Sequence, residues 1–279
     1  MASLFMRFPC GKAKAVTLSY DDGVDTDIRL MEILDKHGLK CSFNINAGQF
    51  SPEGTKYPET RSSLRMSQSQ CIEAYKNSGH EVACHGLTHS YLDTLPKGRA
   101  VYELIEDRRR IEEMFGHTVR GFAVPFSSIN DSVVQMLKDA GYAYARGGAS
   151  THNFELPENF YKMANTCRHK DPELMNLADQ FLNRQNIRKP ILFSLMGHSF
   201  EFKNDNNWEV IEQFAGKIGD KEDIWYAPII KIVDYINAYK QLRFTVNMDL
   251  VENPTSKDLY FEWKGKNYTV KSGESLKIN

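Results

Sequence analysis

Apolar residues in this chain come in two rhythms. Short apolar runs, Ala15 to Leu18, Glu81 to Cys84, Tyr142 to Ala145 and Pro190 to Met196, read as buried strands. Leu39 to Asn46 alternates Cys41, Phe43 and Ile45 with Ser42, Asn44 and Asn46, which predicts another strand. Helical spacing predicts helices over Asp25 to His37, Ser67 to Ser78, Thr94 to Phe115, Asp131 to Ala140, Leu174 to Asn186, Trp208 to Ile218 and Ile229 to Tyr239. Gly38, Gly79 and Gly141 stand where three of them should stop, and Ser67 is a candidate cap. Strand and helix in alternation predict βαβ units and a parallel sheet.

Two regions leave that pattern. Ser51 to Arg65 is polar and holds Pro52, Gly54 and Pro58, so it predicts a surface loop. From Phe244 the chain changes character. Phe244 to Val246, Leu259 to Trp263, Asn267 to Val270 and Ser275 to Ile278 read as short strands, with turns at Gly265-Lys266 and Ser272-Gly273. The expected division is a main α/β domain over 1–243 and a small β-rich appendage over 244–279. No internal repeat or low-complexity segment is present.

Composition narrows the class. The chain has 279 residues, 41% hydrophobic and 25% charged, with a net charge of −1. It suits a globular protein and gives no electrostatic footprint for nucleic acid or a membrane surface. No apolar run approaches the length of a membrane span. The cysteines, Cys10, Cys41, Cys71, Cys84 and Cys167, are odd in number and scattered, and read as reduced thiols. Met1 to Lys14 is too short and too interrupted by Arg7, Pro9 and Lys12 for a secretory leader. Together these predict the cytoplasm; a leader removed upstream would make the protein secreted or envelope-bound.

Candidate chemistry sits where the strands end. Asp21-Asp22-Gly23 follows the first strand. It is good turn chemistry, and it also places two carboxylates at the end of a strand where α/β folds put their sites. His85 and His89, four apart, follow Glu81 to Cys84. Gly86 stands where a zincin would have glutamate, so that motif is absent. A carboxylate with two such histidines makes an Asp-His-His metal set with open coordination positions. His198 ends the strand at Pro190 to Met196. His169, after Thr166-Cys167-Arg168, reads more readily as a surface residue.

These stretches resemble the NodB-homology polysaccharide deacetylases, carbohydrate esterase family 4, as a divergent member. Ser19-Tyr20-Asp21-Asp22-Gly23 is similar to the family's Thr-Phe-Asp-Asp-Gly, and His85-Gly86-Leu87-Thr88-His89 to its His-(Ser/Thr)-x-x-His. Val124-Pro125-Phe126 resembles the end of Arg-x-Pro-Tyr, and Leu192 to His198 resembles Leu-x-Leu-x-His. The resemblance spans roughly residues 14 to 240. It implies a distorted, incomplete (β/α) barrel. It implies metal ligation by Asp22, His85 and His89, with Asp21 as general base and His198 as general acid. It also implies an oxyanion contact from the backbone at Phe126, after Pro125, and an acetyl-methyl pocket that includes Met196. The family's arginine falls at Ala123; Arg120 or Arg146 must replace it, and Arg146 is preferred because it follows a strand-like run. The Asp and Trp of a fourth motif are absent. Trp225 lines a sugar cleft or packs in the core.

The implied activity is metal-dependent removal of N-acetyl groups from an N-acetylated sugar or polysaccharide. The first-choice ion is zinc, with cobalt, nickel, manganese or iron able to occupy such a site. The expected partner is the N-acetylated carbohydrate alone, without nucleic acid or membrane; the oligomeric state is open. The alternatives are an amidase or imidase acting on a non-sugar C–N bond and a carbohydrate-binding homologue that does not catalyse.

Overall fold

The computed structural model describes residues 4–56 and 64–278. The middle of the predicted polar loop, residues 57–63, lies outside them. A first short strand, β1 (Leu4–Arg7), precedes the main sheet. The sheet is built from β2 (Lys14–Asp21), β3 (Cys41–Ile45), β4 (Glu81–Cys84), β5 (Gly121–Ala123), β6 (Tyr144–Ser150), β7 (Met163–Asn165), β8 (Cys167–Arg168), β9 (Ile191–Gly197) and β10 (Ile224–Tyr226). Every pairing in it is parallel, in the order β7-β6-β5-β4-β3-β2-β9-β8, with β10 also on β2.

The helices are α1 (Asp27–Lys36), α2 (Gln68–Tyr75), α3 (Lys97–Phe115), α4 (Asp131–Asp139), α5 (Leu174–Leu182), α6 (Phe200–Asn204), α7 (Glu209–Ile218) and α8 (Ile229–Tyr239); all but the short α6, which was not predicted, fall close to predicted segments. Ser67 caps α2 as expected, accepting from the Gln70 N–H while Gln70 returns a bond to the Ser67 N–H.

The two edges of the sheet are consecutive in sequence. Thr166 alone separates β7, which pairs with β6, from β8, which pairs with β9. The Thr166 N–H donates to the Ser194 carbonyl at 2.8 Å, and the Thr166 carbonyl accepts from the His152 N–H at 3.0 Å. The chain thus hands over from one edge to the other at one residue, without a continuous ladder. This is the distorted, incomplete α/β barrel that the sequence predicts.

Alternation sorts the side chains. Val16, Leu18 and Tyr20 of β2 face outward with Cys41, Phe43 and Ile45 of β3 and join Leu30, Leu104, Ile111, Phe181 and Phe214 in the main core. The other face of these strands carries Thr17, Ser19, Asp21, Ser42, Asn44 and Asn46, every one of them buried. Their polar groups bond one another around the barrel axis. Asn44 Nδ2 donates to Ser19 Oγ at 2.9 Å and to Asp21 Oδ1 at 2.8 Å, and Ser42 Oγ donates to Glu81 Oε2 at 2.6 Å. These bonds offset much of the desolvation cost of burying a polar face, although Thr17 Oγ1 and Asn44 Oδ1 have no partner among the described residues.

The N-terminal ends of the strands are closed by α8. Its first N–H groups meet Ser42 and Glu81, both at 3.0 Å. The last residues form β11 (Arg243–Phe244), β12 (Leu250–Glu252), β13 (Leu259–Trp263), β14 (Lys266–Val270) and β15 (Ser275–Lys277). They make two small antiparallel sheets, and one of these takes in β1 from the start of the chain. Val251, Phe261, Val270 and Ile278 form their core. Tyr235 of α8 ties them to the barrel by donating to the Arg7 carbonyl at 2.7 Å and accepting from the Tyr260 N–H at 3.0 Å. All five cysteines are free thiols. Among the described residues no helix is long and apolar enough to cross a membrane.

Candidate active site

The C-terminal ends of β2, β4, β5, β6 and β9 converge on one polar cluster. β2 ends at Asp21, which is buried on the barrel axis. Asp22 then takes φ +90° and Gly23 φ +64°, so the second carboxylate swings out of the strand path. Gly23 is required there for two reasons: its φ favours glycine, and a Cβ would come within 2.9 Å of the Ile45 side chain.

Asp22 faces the two histidines. Its Oδ1 lies 3.9 Å from His85 Nε2 and 3.8 Å from His89 Nε2, and the two Nε2 atoms are 3.1 Å apart. The ligand atoms of all three lie within 4.8 Å of one another. The donor set fits a divalent ion. The His85 Nδ1–H can donate to the Ala123 carbonyl at 2.8 Å, which leaves the Nε2 lone pair facing the cluster. Burial lowers the pKa of both histidines, that of His89 to about 4, so both offer lone pairs at neutral pH. Two imidazole lone pairs and a carboxylate at this spacing are able to hold a cation between them.

Helix α3 holds the histidine turn in place. Asp107 accepts from the His85 N–H at 3.1 Å and the Ala47 N–H at 2.7 Å. Glu103 accepts from the Thr88 N–H at 2.7 Å and the Thr88 hydroxyl at 2.8 Å. Burial raises the Asp107 carboxyl to about 7. Sequence reading missed both residues, although a signal was there. They lie four apart on the buried stripe Ala100, Glu103, Leu104, Asp107, Ile111 and Phe115, and charges on an apolar stripe need partners. Arg65 was missed too. It donates to Asp22 Oδ1 at 2.8 Å and to Asn46 Oδ1 at 2.6 Å, pinning the turn from the other side.

Asp21 occupies the centre. Its Oδ1 accepts from Asn44 and from Arg146, whose side chain is buried and also donates to Ser19 Oγ at 3.2 Å. Arg146 stands beside Ala123 in the β5–β6 ladder, so the arginine missing from β5 is supplied by the next strand. Arg120, the other candidate, bonds Asp234 at 2.7 Å instead. Asp21 Oδ2 lies 4.0 Å from His85 Nε2 and 4.0 Å from His198 Nε2. Burial pushes the Asp21 carboxyl up, but Arg146 and then the histidines more than offset it, and the pKa stays below the usual range.

His198 has its own carboxylate. Glu201, three residues on in α6, places Oε2 3.4 Å from His198 Nδ1. Burial pulls the His198 pKa down, but Glu201, Asp21 and Asp22 outweigh it and hold the imidazole above its ordinary value. Glu201 thus holds the Nδ1 side of the His198 ring from within the same short stretch of chain.

The remaining predicted residues divide. Pro125 is buried and starts a tight turn in which Phe126 has φ +55°. Among the described residues the Phe126 N–H has no hydrogen-bond partner, whereas the N–H groups of Ser127 and Ser128 bond the carbonyls of Val124 and Pro125. The Phe126 ring stacks on Tyr91, with centroids 3.9 Å apart, and meets the His89 ring edge-on. Met196 is buried opposite Ser19 in the β2–β9 ladder. Trp225 does not join the site. It pairs with Ala15 near the start of β2, six residues before Asp21 and so roughly 20 Å away along the strand, and packs on Phe8 and Tyr235. Of the two readings offered for it, cleft or core, the structure has the core, because β10 is a partner of the N-terminal half of β2 only. His169, expected at the surface, is buried.

Comparison with known proteins agrees with this geometry. The profile of the polysaccharide deacetylase family matches residues 9–145. A protein of Arthroderma benhamiae named probable peptidoglycan-N-acetylglucosamine deacetylase is 24% identical over 152 residues, 52% of this chain. The match spans only 31% of that longer protein. A Mycobacterium smegmatis protein, crystallised as a candidate polysaccharide deacetylase, superposes with a TM-score of 0.58 at 16% identity, covering 85% of this chain and 95% of that one. The Xyl-CE4 domain of a multidomain xylanase from the hindgut metagenome of Trinervitermes trinervoides gives 0.51 at 15% identity, covering 81% and 92%. These two likenesses show the fold. Residues 9–145, just under half of the chain, are thus what is similar to the polysaccharide deacetylase family.

Proposed function

We propose that this protein is a metal-dependent hydrolase that removes N-acetyl groups from an N-acetylated carbohydrate. One observation carries the reading: Asp21 Oδ2 sits 4.0 Å from a ligand histidine on one side and 4.0 Å from His198 on the other. Base, ligand set and acid are thereby arranged around one small space. Asp22, His85 and His89 hold the ion, for which zinc suits the two nitrogens and one oxygen. When bound, the ion supplies Lewis acidity and makes water acidic enough to attack near neutral pH.

The chain's own residues supply the rest. Arg146 and Asn44 occupy Asp21 Oδ1, which keeps the carboxylate ionised and turns Oδ2 towards the site to accept a proton. The free Phe126 N–H is the donor for the oxyanion, fixed in place by the turn that contains it. His198, kept protonated by its carboxylate neighbours, gives its proton to the departing amine. Met196, buried beside Ser19, suits the acetyl methyl.

The test combines binding and turnover. Calorimetry on chelator-stripped protein should find one zinc site in the wild type and none in His85→Ala. Acetate release should then be measured from N-acetylglucosamine oligomers beside small linear amides and cyclic imides. Release from the oligomers, lost in Asp21→Asn, supports the proposal. Turnover of the small amides or imides alone would move the assignment to the related amidases. Tight glycan binding with no turnover would mark a non-catalytic homologue.

A further inference from the structure

His169 is a buried histidine, close to the candidate site, that the mechanism above leaves unused. It follows β8, is 2% exposed, and neither ring nitrogen has a hydrogen-bond partner among the described residues. Such a group is costly unless something nearby needs it. Its setting is tightly specified. The ring lies parallel to Tyr20, with centroids 5.6 Å apart, and against Phe202 at 4.1 Å. Residue 197 must be glycine to admit it, because a Cβ there would come within 1.9 Å of His169 Nδ1.

The Nε2 atom faces the carboxylate that partners His198. It lies 3.3 Å from Glu201 Oε2, the same oxygen that lies 3.4 Å from His198 Nδ1. One carboxylate oxygen therefore stands between two imidazoles. The surrounding charges are Arg168 and Lys170 beside His169, both within 3.5 Å of Glu201 Oε1 or Oε2, and Asp21 beyond His198. Glu201 also meets competing pulls from Arg168 and Lys170, which are themselves partly exposed. The backbone N–H of His198 also donates to Oε2 at 3.4 Å, and His169 is the buried side-chain donor beside it.

We propose that His169 is a positioning residue: its Nε2–H pins Glu201 Oε2 against His198 Nδ1, and so fixes the tautomer and orientation in which His198 presents Nε2 to the leaving amine. The contact is slightly misaligned here, and hydrogen bonds of this kind tighten when substrate is bound. The inference rests on the deacetylase reading for its kinetic consequence but not for its structural one.

Two variants test it. His169→Leu fills the slot without a donor, and His169→Gln restores an N–H at a similar reach. In ¹⁵N-imidazole spectra of the zinc-loaded protein, recorded at a pH above the His198 pKa where the ring is neutral, its proton should sit on Nδ1 towards Glu201 in the wild type and in His169→Gln. In His169→Leu it should show averaged tautomers. With an N-acetylglucosamine oligomer, His169→Leu should lose about tenfold or more in kcat with KM and zinc affinity unchanged, and His169→Gln should recover most of it. Unchanged His198 shifts in a folded His169→Leu would overturn the proposal, and so would wild-type shifts lost equally in His169→Gln. Changed shifts in a protein that turns over no acetylated substrate would uphold the positioning role and overturn the deacetylase reading alone.

Discussion

The two ends of the barrel each bury a carboxylate, and the contrast between them separates chemistry from architecture. Asp21, at the C-terminal end of β2, meets the Arg146 guanidinium and keeps its charge despite burial. Glu81, at the N-terminal end of β4, meets Ser42 at 2.6 Å, Tyr144 at 3.1 Å and the Ile230 N–H at 3.0 Å. Those donors are neutral. Burial wins, and the Glu81 carboxyl is pushed up to about 7. A carboxylate meant to accept a proton has to be ionised first, which a cation secures. A carboxyl that ties a helix to a sheet works as well with its proton on. The partners, not the burial, decide which task each group has.

Exchanging the charge at each end should therefore have opposite consequences. Asp21→Asn keeps the shape and removes the base; kcat should fall by about 10³-fold, and the thermal midpoint should fall too, because the buried Arg146 loses its counter-charge. An active Asp21→Asn would end the distinction. Next in size is Arg146→Met. It leaves Asp21 buried and uncompensated, which costs about 3–5 kcal/mol in a buried ion pair, and should be read by urea unfolding together with a loss of activity. The pair Asp21→Asn, Arg146→Met should be more stable than Arg146→Met alone, because the orphaned charge has gone. Additive losses would show that Arg146 acts by packing.

The same contrast explains what the sequence disclosed. The alternation of Cys41, Phe43 and Ile45 with Ser42, Asn44 and Asn46 announced a strand correctly. What it could not show is that the polar face looks into a barrel, where Ser42 serves Glu81 and Asn44 serves Asp21. A polar face on an alternating strand ordinarily means solvent, and only closure of the sheet makes it an interior. Asp21, Asp22, His85 and His89 were legible because turn glycines and strand ends fix them locally. Arg146 was legible by its place after a strand, since adjacent strands in a parallel ladder put their ends side by side. Glu201 was not, because a glutamate on a short surface helix looks like any other until the helix is seen folding back on His198. Trp225 stayed open between cleft and core because sequence order gives no sign of which half of β2 a later strand will pair with.

The predicted effect of Glu201→Gln is smaller. It removes the nearest charge holding His198 above its ordinary pKa while keeping an acceptor for Nδ1–H. A general acid must carry its proton, so rate falls as pH rises through that pKa. In Glu201→Gln the alkaline limb of kcat should move to lower pH, with the acid limb unmoved. An unmoved alkaline limb would mean that another group is the acid.

Glu81→Gln should sharpen the comparison without touching activity. Between pH 4.5, the ordinary value for a glutamate, and about 7, the folded protein keeps the Glu81 proton while the unfolded chain has lost it. The native state then binds more protons than the unfolded one, so stability falls as pH rises across that window and stays lowered above it. The size of the effect is on the order of 3 kcal/mol, from a shift of roughly two to three pH units. Glutamine has no proton to lose. Its carbonyl can accept from Ser42 and Ile230, and its amide can donate to the Tyr144 oxygen. The variant should match the wild type near pH 5 and exceed it in urea unfolding at pH 8. Other buried carboxyls, such as Asp27 and Asp107, are raised to about 7 as well, but they are common to both proteins and cancel in the difference. Parallel stability curves would mean that Glu81 is ionised in the fold, and that neutral donors alone suffice to hold a buried charge at this end of the barrel.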